Sequence, residues 1–250
     1  MDIPRRTVTY WDNGNIATEN YRLKGKRHRE DGPAYRKWSE NGSLLLLKYY
    51  INGKLHNENG PAILIYGISR IVSDPNLVKE MYYINDMLHR ENGPAVVVYR
   101  RLSGISNIAH KIYFCNGKKH RIGGPADINY SSDGYVYLET YYENGLKHRA
   151  DGPAMIQNYY GCCLKFEERW YEKGRLHNNK KPAVIGYNVT GEEVYRHFYI
   201  EGKRISVEDI VESGFKMCDC KNCGYQYIEG GYDASKAKKN KIKIRKKKHR

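Results

Sequence analysis

The sequence predicts an all-β fold: an elongated, single-layer antiparallel array of β-hairpins, solenoid-like, closed by a short C-terminal helix cap and followed by a disordered basic tail. Three observations predict it. A segment of form His-x-x-x-Gly-Pro-Ala recurs along most of the chain, beginning at His28, His56, His89, His120, His148 and His177, with Lys181 replacing the Gly in the last copy. The spacings between these histidines are 28, 33, 31, 28 and 29 residues, and a fixed internal period is the signature of a repeat architecture. Tyr is abundant (24) and Phe scarce (4), which suits half-buried strands with an apolar ring and a wet hydroxyl.

The elements follow in order. Thr7-Val8-Thr9-Tyr10-Trp11 reads as a strand, Asp12 to Asn15 as a tight turn, and Tyr21 to Gly25 as the return of a degenerate first unit, as expected of a terminal cap. In each full unit Gly32, Gly60, Gly93, Gly124 or Gly152 precedes a Pro at a strand start, where a missing N–H is tolerated, and the Gly accepts the restricted conformation there. Counting from that Pro, position +1 is Ala in all six units. Position +3 is mostly aliphatic (Leu64, Val97, Ile128, Ile156, Ile185) and +5 mostly aromatic (Trp38, Tyr66, Tyr99, Tyr130, Tyr187). This period-two pattern predicts a strand with one buried face. A variable loop follows, short at 40–43, 132–134 and 190–191 and long at Gly67 to Val78 and Arg101 to Ile108. A second strand then ends in an aromatic pair such as Tyr49-Tyr50 or Tyr141-Tyr142, and Asn52-Gly53, Asn116-Gly117 or Asn144-Gly145 turns the chain toward the next His. One unit cannot bury its own face, so stability comes from its neighbours.

The array spans residues 1–205. Residues 206–230 hold the cap, a short helix over Ser206 to Val211 with Ser206 as N-cap, and a cysteine cluster; residues 231–250 form the tail. The formal charge is +15, and it is concentrated at the end. The tail cations are Lys236, Lys238, Lys239, Lys241, Lys243, Arg245, Lys246, Lys247, Lys248 and Arg250, with no acid among them, while the rest holds 33 basic against 28 acidic residues. Such a segment neutralises phosphates on nucleic acid, attracts an anionic membrane surface or acidic protein, serves as a nuclear address, or is a solvated, solubilising tail. It contains no aromatic for base stacking, so nucleic-acid binding would be independent of sequence.

Cys218-x-Cys220-x-x-Cys223-Gly has the spacing of a tight zinc knuckle, in which the turn aims thiolates at one ion. Four ligands are needed and the cluster supplies three; Cys162, Cys163, His197 or a second chain are the candidates for the fourth. A redox or intermolecular disulfide and free thiols are the other readings. Zinc is the only cofactor suggested, and none is required. The six repeat histidines are read as structural, because a ligand set must converge on one point and these form a row.

Tyr141-Tyr142-Glu143-Asn144-Gly145-Leu146-Lys147-His148 resembles the core of a MORN repeat, and the resemblance recurs over about residues 10 to 205. Here Arg or Asn follows the His, Gly-Pro-Ala comes later and the period is longer than the family's usual two dozen residues. The chain is therefore similar to a MORN-like β-hairpin repeat variant, of a kind seen in proteins of giant DNA viruses. The resemblance implies an elongated, curved array serving as a scaffold, a protein-binding module or a membrane-proximal module, and it implies no catalytic residues.

The expected function is that of a non-enzymatic repeat scaffold whose array binds a protein partner and whose tail binds a polyanion. The alternatives are a sequence-nonspecific nucleic-acid-binding or virion component and a membrane-associated MORN-like module. No small-molecule substrate is expected. No apolar run reaches the roughly 18 residues of a membrane span and no signal segment is visible. The expected location is intracellular, in host cytoplasm or nucleus for a viral protein, or in the virion.

Overall fold

A computed structural model describes residues 2–67, 76–102, 105–206, 216–217 and 227–228. The described residues are all-β and contain no helix. Fourteen strands lie side by side in strict chain order in one antiparallel sheet, from Arg5–Tyr10 at one edge to Glu193–His197 at the other; the two-residue strand Lys26–Arg27 is a fifteenth member beside the second. They form seven long hairpins. The expected helix at 206–211 lies outside the described residues beyond Ser206, as do the cysteine cluster and the tail.

Each long hairpin ends in a short second one. In the unit that begins at Pro33, strands Tyr35–Trp38 and Leu44–Lys48 pair first, and then Tyr50–Ile51 pairs with Lys54–Leu55 around Asn52-Gly53. The two turn residues have φ of 51° and 87°, the type I′ geometry whose twist matches that of flanking strands. The same two-residue turn occurs at six other places. At three of them, Lys24, Lys173 and Glu201 take the positive φ that the sequence pattern assigns to Asn, and at Asn85-Asp86 an Asp replaces the Gly. Because strand direction alternates, the tips of the long hairpins line one margin of the sheet and the short hairpins line the other.

Every long hairpin carries a β-bulge near its tip, where the register shifts by one at Tyr10, Trp38, Tyr66, Tyr99, Tyr130, Asn158 or Tyr187. A bulge at this fixed place strengthens the right-handed twist at each step. The stretch Arg101 to Ile108, read from sequence as a loop, is mostly strand: Val96–Leu102 pairs with Ile105–Ile112, and only residues 103–104 lie between them. Its β-branched residues extend the ladder past the point where the other units turn. Gly67 and Asn76 to Val78 likewise belong to strands rather than to the loop between them.

The core is thin and periodic. Ala34, Ala62, Ala95, Ala126, Ala154 and Ala183 are all completely buried. Each of their carbonyls accepts the backbone N–H of the first aromatic of the preceding unit, at 2.7–2.8 Å in every case, so a small side chain always sits beside a ring. Burial is not confined to the face of positions +1 and +3. Ile63, Val96 and Val184, at +2, are as buried as Val97, Ile128 and Ile185 at +3. Period-two reasoning gave the strands one buried face, but consecutive residues after the Pro are buried, so both faces of the sheet are covered there.

Candidate functional site

The seam between neighbouring units is built from the recurring motif. The imidazole Nδ1 of His28 accepts the backbone N–H of Asn52 in the next short hairpin (3.0 Å). His56, His89, His120 and His177 do the same for Asn85, Asn116, Asn144 and Glu201 at 3.2–3.3 Å. Nδ1 of His148 is buried and has no such partner. In the same turns the second residue donates to the backbone carbonyl just before the His, as Gly53 does to Arg27 and Gly145 to Lys119. The histidines therefore lie in a row, one per seam, and five of the six have Nδ1 bonded to backbone. Among the described residues no group of three or more His, Cys, Asp or Glu is placed to hold a metal ion.

The residue after the His explains the Gly that follows. The guanidinium groups of Arg29, Arg90, Arg121 and Arg149 lie 3.9–4.2 Å from the ring centroids of Tyr21, Tyr82, Tyr113 and Tyr141, in cation–π contact. The other face of each guanidinium covers the glycine. A Cβ on Gly124 would stand 3.1 Å from the Arg121 Cζ, and on Gly152 3.1 Å from that of Arg149. Of the five repeat glycines only Gly93 has a positive φ (143°), so the requirement is space for a stacked arginine rather than backbone freedom. Where Asn57 replaces the arginine, a Cβ on Gly60 would meet only the amide nitrogen at 3.5 Å. Where Asn178 replaces it, the glycine itself has become Lys181. The sequence shows this Arg/Asn alternation, but only the fold reveals that the two positions touch.

Buried carboxylates tie units together. Glu19, 4% exposed, receives Arg6 Nε at 2.5 Å and Arg36 Nη1 at 2.7 Å from the strands on either side. Burial pushes its carboxyl up, but these two arginines outweigh burial and hold it below the usual carboxylate range. Asp127 occupies a +2 position that is apolar or aromatic in every other unit. His110 Nε2 lies 2.6 Å from its Oδ1, and Lys119 binds Oδ2. Burial again raises the carboxyl, and the bonds to His110 and Lys119 again bring it below its ordinary value. Glu167 and Glu168 sit on opposite faces of one strand. Glu167 accepts from Arg169 and from the Tyr195 hydroxyl (2.7 Å), and Glu168 from Lys165 and from the Tyr187 hydroxyl (2.6 Å). Burial, then the carboxylate, push Tyr187 well above the ordinary phenol range and Tyr195 up to about 12.

The two margins differ in chemistry. At the long-hairpin tips Tyr10, Trp11, Tyr135, Tyr160, Leu164 and Val189 are exposed. Neighbouring tips are linked, for example by the Ser132 N–H to the Tyr160 hydroxyl at 3.2 Å and by the Tyr159 hydroxyl to the Tyr187 carbonyl at 2.9 Å. The short-hairpin margin is basic. Of the residues named from sequence for a fourth metal ligand, Cys163 is exposed, Cys162 is half-buried, and His197 stacks on Tyr195 with Nδ1 2.9 Å from Arg204. Burial and that guanidinium lower the His197 imidazole. Cys218, Cys220, Cys223 and the tail cations from Lys236 to Arg250 lie outside the described residues. No protein-family model matches the chain, and no curated protein matches it either.

Proposed function

We propose that the protein is a non-enzymatic interaction scaffold: a MORN-like array that presents its long-hairpin margin to a protein partner, with the polybasic tail of residues 236–250 binding a polyanion. The observation that carries this reading is the row of exposed apolar side chains along one margin. Tyr10, Tyr160 and Val189 are 64%, 62% and 64% exposed and come from hairpins far apart in the chain, and hydrogen bonds between tips fix Tyr160 against the tips on either side of it. Apolar residues aligned on a rigid edge are suited to protein recognition. The tail supplies charge without ring faces, which suits a polyphosphate backbone.

The two halves separate experimentally. A photoreactive residue at Tyr135 or Tyr160 should form the same protein adduct in cells, and one at Lys54 on the opposite margin should not. Equal adducts from both margins would remove the assignment of the long-hairpin edge. For the tail, duplex DNA is titrated with the full chain and with residues 1–235 over a salt series. Contact with about six phosphates predicts a log–log salt slope near −5 for the full chain, becoming shallower on truncation. An unchanged slope would take the polyanion role away from the tail.

A further inference from the structure

We infer that the short-hairpin margin of the array is itself a binding ridge for duplex nucleic acid, formed by Lys26, Lys54, Lys118, Arg175 and Lys203. This goes beyond the proposed function, since it requires neither the tail nor the protein partner. These five residues occupy one and the same place in five units, the first position of the second short strand. All five are exposed. None is in an ion pair or a side-chain hydrogen bond among the described residues. Met87 and Leu146 fill the place in the two remaining units, so nothing of opposite charge interrupts the line.

The line is held rigidly. Each turn donates a backbone bond to the hairpin before it, as Gly53 does to Arg27 and Gly202 to Leu176, both at 2.8 Å. The stems of three ridge residues lie over the next turn's glycine: a Cβ on Gly53 would be 3.3 Å from the Lys26 Cβ, one on Gly145 3.6 Å from the Lys118 Cβ and one on Gly202 3.8 Å from the Arg175 Cβ. Two strands per unit at about 4.8 Å each place successive ridge positions about 10 Å apart, so the row from Lys26 to Lys203 covers roughly 60 Å. The body of the chain contributes to the same sign, with 31 Lys or Arg against 22 Asp or Glu in residues 1–206.

Three features select the partner. A duplex is a linear polyanion carrying one negative charge per about 1.7 Å of axis, and a single file of fixed cations complements a line of phosphates. Base stacking is restricted, because three of the six short-hairpin rings already carry cations: Arg27 over Tyr50, Lys119 over Tyr142 and Lys147 over Tyr171, at 4.9–5.4 Å. This favours a duplex over a single strand, which needs free ring faces. A flat anionic membrane would be matched by a broad basic field, whereas exposed Glu143, Glu172 and Glu201 lie beside this row.

The test uses the full chain, tail included, and a duplex DNA of about 20 base pairs. A ridge variant carries Lys54→Ala, Lys118→Ala, Arg175→Ala and Lys203→Ala. A control variant of equal charge carries Arg5→Ala, Lys37→Ala, Lys79→Ala and Lys181→Ala. With about 0.9 of slope per phosphate contact, the ridge variant should show a log–log salt slope shallower by about 3.6. Between 50 and 200 mM salt the unmodified chain should then lose roughly 150-fold more affinity than the ridge variant. The control should keep the original slope, as should Lys54→Arg with Lys118→Arg and Lys203→Arg. A ridge slope equal to that of the control overturns the proposal. So does a ridge variant that keeps its duplex slope but loses binding to phosphatidylserine vesicles. A tail-truncation slope that does not change bears on the tail alone and leaves the ridge difference intact.

Discussion

Arg121 and Gly124 show how one residue dictates another in this repeat. The guanidinium lies 4.0 Å from the Tyr113 ring centroid, and the space a Cβ would need at Gly124 is filled by that same group. Gly124→Val should therefore cost about 1–3 kcal/mol in chemical denaturation, the usual range for overpacking. Gly60→Val, facing the shorter Asn57, should cost clearly less. Adding Arg121→Asn should recover much of the Gly124→Val loss, since the chain already combines Asn178 with Lys181. If the double variant is no more stable than the single, the glycine is needed for some other reason. The alternation of Arg and Asn after the histidines was readable from sequence. Its link to the glycine was not, because the two intervening residues give no indication that the side chain returns to cover its own backbone. The Glu19 and Asp127 clusters were equally hidden: an acid in a strand acquires meaning only when cross-strand register supplies its cations.

At the scale of the element, Glu19 joins the first hairpin to the second, through Arg6 on one side and Arg36 on the other. Its carboxyl is held below the ordinary value, so it contributes stability above the unfolded value of about 4.5, and that contribution is lost as pH falls through the lowered folded value. Hydrogen exchange followed by mass spectrometry at decreasing pH should show Arg5–Leu23 losing protection, relative to the intrinsic rate, before the neighbouring Leu44–Lys48 strand. Glu19→Gln should have this weakness already at neutral pH. Simultaneous loss along the sheet would mean that the first hairpin is held mainly by its backbone ladder. Hairpins with Asn-Gly turns were legible because that dipeptide accepts two positive φ values. The Lys24, Lys173 and Glu201 turns were not, because Lys and Glu carry no local preference for positive φ, although the Gly that follows each of them does.

Across the whole molecule, tyrosines report how far side chains lie down on the single sheet. Burial, then Glu80, raise Tyr99 to about 12; burial, then Glu167, do the same for Tyr195; and Tyr187 lies higher still beside Glu168. An ultraviolet titration of the 24 tyrosines should resolve a late-ionising group, reduced by Tyr99→Phe and Tyr195→Phe. Because the neutral phenol is the folded form, the stability held by the late group is lost as pH rises from about 10 towards 12. A single transition with no late group would place these rings in water.

The sequence by itself determined the repeat, the all-β class, the hairpin order and the invariant alanines, because period, turn chemistry and strand alternation are local properties that each unit states again. Tertiary structure decided what the repeat is for within the fold: the bond of five of the six repeat histidines to the next unit's backbone, the stacking of arginine over glycine, and the burial of both sheet faces. It also aligned Lys54, Lys118, Arg175 and Lys203, tens of residues apart in sequence, into one ridge. The reason is physical. Lateral neighbours in a sheet are set by register and strand spacing, and neither distance nor direction between units is written in any single unit.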